Sequence, residues 1–89
     1  MCSQQNFTFL RLRVVADGDP GAIALVANHF RNLNVLPRRL LAEFGTNDIV
    51  HIEVDVFGLP EDQLALIAAK IREAPSTVNA YWQDRKSVV

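Results

Sequence analysis

Apolar and polar positions alternate along this chain with two different periods, and the switches between them divide it into six elements. From Phe7 to Val15 the period is two. Thr8, Leu10, Leu12 and Val14 fall on one side and Phe7, Phe9, Arg11 and Arg13 on the other, as in a strand with one covered face. Asp17-Gly18-Asp19 then turns the chain, and a helix is expected over 20–33, where Ile23, Val26, Ala27 and Phe30 recur at i, i+3, i+4 and i+7 and share one side. Asp19 is expected as its N-cap, the carboxylate accepting from free N–H groups of the first turn, with Pro20 where a missing N–H costs nothing. Asn34 suits the left-handed position that closes such a helix.

After Pro37 the pattern returns to period two. The second strand is expected from Arg38 to Phe44, with Leu40, Ala42 and Phe44 inward and Arg39, Leu41 and Glu43 outward. Gly45-Thr46-Asn47-Asp48 is a dense turn signal and predicts a hairpin into strand three. There Val50, Ile52, Val54 and Val56 alternate with His51, Glu53, Asp55 and Phe57. Gly58-Leu59-Pro60 leads into a second helix with Glu61 and Asp62 in its first turn, an apolar stripe of Leu64, Ile67, Ala68 and Ile71, and a stop at Pro75. Thr77 to Trp82 predicts the last strand, and Gln83 to Val89 a polar, frayed tail.

The order is therefore βαββαβ, an α+β class chain. Right-handed crossovers then give a ferredoxin-like sandwich: a four-stranded antiparallel sheet with both helices on one face. The apolar alternates of the strands and the two helix stripes would meet in a single core.

Composition narrows the function classes. A chain of 89 residues holds one domain, and a domain this small buries only about 60–65% of the surface its unfolded form exposes, which points towards oligomerisation. Cys2 is the only cysteine, so neither an internal disulfide nor a cysteine metal cluster is available, and no cofactor or metal is expected. Nine basic and ten acidic residues, interspersed, give a net charge of -1. That lacks the footprint of a nucleic-acid binder. No apolar run reaches the roughly 18 residues of a membrane span, and 1–6 do not resemble a signal peptide, so the expected setting is cytoplasmic, away from membranes and nucleic acids.

Candidate chemistry is sparse. His29 beside the first helix stripe and His51 next to Glu53 have no partnering nucleophile at a readable spacing, so both are expected as ordinary surface histidines and no catalytic residue is assigned. A small enzyme on the same scaffold is the alternative they leave open. On the outer sheet face Arg11 and Arg13 should pair with Glu53 and Asp55 across neighbouring strands. Phe7 and Phe9 on that face raise base stacking with RNA as a further alternative, without the basic surround it needs. Arg38-Arg39 are expected to be solvated or paired with Glu43. The strand-to-helix turn offers the amides of Gly21, Ala22 and Ile23 at a positive helix end, a place for a carboxylate.

Leu12-Arg13-Val14 running into Asp19-Pro20-Gly21-Ala22-Ile23, followed by Val26, Phe30, the hairpin and the Leu59-Pro60-Glu61 helix start, resembles the ACT domain family, the amino-acid-sensing regulatory modules of metabolic enzymes. The short form is similar in particular to the small regulatory subunits of acetohydroxyacid synthase. An acylphosphatase would want an arginine in a glycine-rich first loop, and a heavy-metal-associated domain two cysteines there; neither is present. The resemblance implies a flexible N-terminus over 1–6, an ACT-like domain over 7–83 and a tail over 84–89. It implies a non-catalytic homodimer with a continuous eight-stranded sheet joined at Arg38, Leu40, Leu41 and Ala42, and a catalytic-subunit partner enzyme in amino-acid biosynthesis. A free amino acid effector would sit among Asp17, Gly18, Asp19, Gly21, Ala22, Ile23 and Leu36. The family often has asparagines where this chain has Gly18 and Leu36. Their loss removes polar groups that would fix the effector, each worth roughly 0.5–1.5 kcal/mol.

Overall fold

The computed structural model describes residues 9–84. Expectations that fall on 1–8 and 85–89, including Cys2, Phe7, Thr8, the N-terminal segment 1–6 and the tail beyond Asp84, lie outside the described residues. The elements are β1 (Phe9–Asp17), α1 (Pro20–Asn32), β2 (Arg39–Phe44), β3 (Ile49–Phe57), α2 (Glu61–Arg72) and β4 (Thr77–Asp84). They form a four-stranded sheet in the order β2-β3-β1-β4, antiparallel at every pairing. This is the expected ferredoxin-like arrangement, with β2 and β4 as its edges.

Strand boundaries differ from the sequence expectation at the ends of the sheet. β1 continues through Ala16 and Asp17, because Ala16 is buried and Asp17 still faces Ile49 across β3. β4 runs to Asp84, paired with Leu10, so Gln83 and Asp84 belong to the sheet rather than to a frayed tail. One face of β1 and β3 supplies Leu10, Leu12, Val14, Val50, Ile52, Val54 and Val56 to the core, all buried as the alternation predicts. Leu64, Ile67, Ala68 and Ile71 of α2 pack against them, the full expected stripe.

The α1 stripe keeps Val26 and Phe30 as expected and differs at Ile23 and Ala27. Ala22, Val26 and Phe30 are buried, whereas Ile23 is 38% exposed and Ala27 is exposed too. Both stripes have helical spacing. The small Ala22 is the residue that fits under the helix start, and Ala27 lines a pocket with Leu36, Pro37 and Leu40 instead. Asn34 closes α1 as expected, with φ 58°. Its N–H donates to the Arg31 carbonyl and the Val35 N–H to the Phe30 carbonyl, both at 2.9 Å, the paired bonds of a Schellman ending. In the hairpin, Asn47 and Asp48 both take positive φ, the left-handed region that asparagine and aspartate enter more readily than most residues.

β2 departs most from expectation. Leu40, Ala42 and Phe44 do face the helix side, opposite Val54, Ile52 and Val50. Only Ala42 packs against the core; Leu40 is 39% and Phe44 70% exposed. No described element covers the outer edge of β2, so the side chains nearest that edge stay in solvent.

Candidate functional site

The loop between β1 and α1 is fixed by its neighbours rather than by a side-chain cap. Gly18 donates its N–H to the Asp48 carbonyl at 2.7 Å, tying the loop to the β2–β3 hairpin. A Cβ at Gly18 would stand 2.8 Å from the Phe44 ring and 2.9 Å from the Asp48 carbonyl oxygen. A glycine is therefore needed by close approach, and Phe44 is a neighbour of the loop that sequence reading missed. Its spacing marks it as an inward strand residue, and nothing local says that its ring reaches across the end of β3.

Asp19 is the N-cap by backbone conformation, with φ -138° and ψ 136°, yet its carboxylate makes no capping hydrogen bond. Instead Oδ2 lies 2.8 Å from the position a Cβ on Gly21 would take. The expected cap is thus replaced by the Asp19 carbonyl, which accepts from the Ala22 N–H at 2.9 Å. The helix mouth accordingly carries an acidic side chain beside Gly21. An ammonium is attracted there and a bare anion is opposed, while the helix dipole acts in the reverse sense.

Asp17, Gly18, Asp19, Gly21, Ala22 and Ile23 are brought together at one end of α1. Leu36 is not with them. The 13 residues of α1 span roughly 20 Å at 1.5 Å per residue, and Leu36 lies past the far end. There it is 92% exposed. With Ala27, Phe30, Arg31, Val35, Pro37 and Leu40 it lines an open pocket of about 380 Å³. Within one chain the loop and this pocket are separate places. Arg38, Leu40, Leu41 and Ala42, expected at a dimer interface, lie along the β2 edge and its entrance, between the two.

The outer face of the sheet carries an ion-pair network built on Asp55. Arg11 grips it with two parallel bonds, Nε to Oδ1 at 2.7 Å and Nη2 to Oδ2 at 3.1 Å. Arg39 Nη1 bridges Asp55 and Glu53 at 3.2 Å each. Arg13 holds Glu53 at 2.9 Å and donates to Gln83 at 3.2 Å. The expected pairing of Arg11 and Arg13 with the β3 acids is present. Arg39, expected in solvent or on Glu43, turns to the β3 acids because Asp55 lies directly across the ladder. Arg38 lies over the Phe57 ring, 4.6 Å from its centroid, and Phe57 meets Phe9 edge to face at 4.7 Å.

These arginines leave Asp55 only 4% exposed. Burial alone would push its carboxyl up; the hydrogen bonds and charges of Arg11 and Arg39 together outweigh it and hold the group below the ordinary carboxylate range. The bond to Asp55 raises Arg11 in turn, against the opposing effect of its burial. The network is satisfied internally, a structural arrangement rather than a docking surface for a ligand.

The two histidines stand on different layers. His29 lines a groove of about 260 Å³ between the helices, with Asn32, Leu33, Gln63, Leu66, Ile67 and Lys70. His51 is on the outer sheet face, opposite Glu43. Among the described residues no group of three potential metal ligands occurs, and no helix is long and apolar enough to cross a membrane.

No protein-family model matches the sequence, and no curated protein matches it. Solved structures do. The C-terminal domain of the MgtC protein from Mycobacterium tuberculosis superposes with a TM-score of 0.72 at 13% identity, covering 93% of each chain. The ACT domain from GTP pyrophosphokinase of Chlorobium tepidum gives 0.72 at 13%, over 88% of this chain and 100% of that one. A homoserine dehydrogenase from Thiobacillus denitrificans gives 0.69 at 17%, over 89% of this chain and 17% of that much longer one. At such identities the likeness establishes the fold: this chain has the fold of an ACT domain.

Proposed function

We propose that this domain is a non-catalytic regulatory or assembly module that acts as a pair of copies joined along β2 and modulates a partner enzyme of amino-acid metabolism. The fold, shared with an ACT domain of GTP pyrophosphokinase, supports that class; acetohydroxyacid synthase, whose small subunits the sequence resembles, is the enzyme the reading favours. The observation that carries it is the unpaired β2 edge, with Leu36, Leu40, Leu41 and Phe44 exposed around it. An apolar edge of this kind invites another strand unless it is already paired.

Pairing about a two-fold axis runs the two β2 strands antiparallel, so the α1 mouth of one copy comes to the Leu36 end of the other. The two half-sites, separated within a chain, are then completed across the pair. A small amino acid fits that composite. Its ammonium is drawn to Asp19, its carboxylate to the remaining first-turn amides, and its side chain to the apolar wall around Leu36. With Gly18 and Leu36 in place of amide side chains, the affinity expected is weaker than two such groups would give, by up to about 3 kcal/mol.

A thermal-shift panel of free amino acids tests sensing directly. A ligand at a hundred times its dissociation constant stabilises by about 2.7 kcal/mol, and Gly21→Leu, which places a side chain against Asp19, is expected to abolish the response. No response to any amino acid would remove the sensing half of the proposal and leave assembly alone.

A further inference from the structure

The outward charges of β2 are complementary to themselves. Reading Arg39-Leu40-Leu41-Ala42-Glu43 outward from its centre, Leu41, the second residue is basic on one side and acidic on the other. We infer that two copies pair through β2 in one defined register, with Leu41 facing Leu41 of the second copy on the two-fold axis and each Arg39 facing Glu43 of the other copy. This rests on the pairing proposed above and fixes its geometry.

Three observations carry it. First, the Gly45 N–H donates to the Ile49 carbonyl at 2.7 Å. With the Phe44 to Val50 register, this identifies the odd-numbered residues of β2 as those whose backbone faces β3. In an antiparallel ladder these alternate strictly, so the N–H and C=O groups of Leu40, Ala42 and Phe44 face the free edge and await a partner. Second, side chains that face each other across a symmetric pair must lie on the same side of the sheet. Registers centred on Leu40, Leu41 or Ala42 all satisfy this. Only the Leu41 centre places Arg39 opposite Glu43, twice by symmetry, since an isologous interface repeats each contact. Centring on Leu40 sets Arg39 against Leu41, and centring on Ala42 sets Leu41 against Glu43.

Third, the charges are available. Arg39 commits Nη1 to Glu53 and Asp55, and a guanidinium has further N–H donors to offer. Glu43 is exposed on the same outer face. The Gly18–Phe44 end of one copy then stands beside the apolar pocket at Leu36, Pro37 and Leu40 of the other.

Single-cysteine cross-linking in a Cys2→Ser background tests the register. Facing residues that do not share a ladder hydrogen bond stand about 4.5 Å apart at Cα, within disulfide range. Leu41→Cys is expected to form a covalent dimer under mild oxidation, and Leu40→Cys and Ala42→Cys to do so far more slowly. Glu43→Arg should weaken the dimer by about tenfold or more through like-charge contacts with Arg39. Fastest cross-linking at Leu40 or Ala42, or no cross-linking in a chain that still sediments as a dimer, would overturn the register and leave the proposed pairing standing. A chain that sediments only as a monomer would overturn both.

Discussion

The Phe44 ring lies 2.8 Å from the point where a Cβ on Gly18 would stand, and the Asp48 carbonyl oxygen bounds the same point at 2.9 Å. The first loop is thereby locked to the hairpin, and the ring can swing aside more easily than the backbone carbonyl can. Gly18→Ala is expected to cost about 1–3 kcal/mol, read as a lowered urea midpoint with unchanged far-UV spectrum. Adding Phe44→Ala should recover only part of it, since the carbonyl remains. Full recovery would show that the ring alone sets the constraint.

Gly21 gives the opposite result by the same reasoning. Its would-be neighbour is Asp19 Oδ2 at 2.8 Å, the end of a flexible side chain, and an alanine in a helical first turn is favoured over glycine. Gly21→Ala should leave stability unchanged or raise it by up to about 1 kcal/mol. Any loss of ligand response in that variant then reports on the site and not on the fold.

Asp55 predicts an acid limb to stability. Its folded pKa is held below the unfolded value near 3.9. Its contribution is therefore complete above that value and is lost as pH falls through the lower folded value. Asp55→Asn keeps the shape but gives up the two-pronged Arg11 pair, and should cost about 1–3 kcal/mol at pH 7. Denaturant midpoints taken at pH 7 and pH 3 should fall further for the unaltered chain than for Asp55→Asn. Equal falls would mean that other carboxylates set the acid limb.

Leu41→Lys puts a charge at the centre of the β2 edge, where it is exposed in the single chain. It should abolish pairing while leaving the thermal unfolding of a dilute, monomeric sample within about 0.5 kcal/mol of the parent. A large loss of monomer stability would mean that Leu41 serves the fold itself.

Most of the architecture was legible because period and punctuation agree. The β3 alternation, the α2 stripe and the Asn34 ending each have one physical solution. In α1, Val26 and Phe30 were legible, and Ile23 was expected inward in place of Ala22 because it outranks alanine in hydrophobicity, while packing under the helix start selects the smaller side chain. At the candidate site, the turn and helix mouth were readable, and their neighbours were not. Phe44 over Gly18 and Asp19 turned towards Gly21 are contacts between segments or rotamer choices that no local pattern encodes. Asp55 read as a paired surface charge because alternation assigns a face; its burial under Arg11 and Arg39 depends on strand register. The separation of Leu36 from the loop is set by the length of α1, visible once the helix is in place.

Sedimentation equilibrium of the unaltered chain over a wide concentration range tests the central claim most directly. The account predicts twice the chain mass at high concentration, falling to one chain mass on dilution, and one chain mass throughout for Leu41→Lys. A single chain mass for the unaltered protein at every concentration would contradict it.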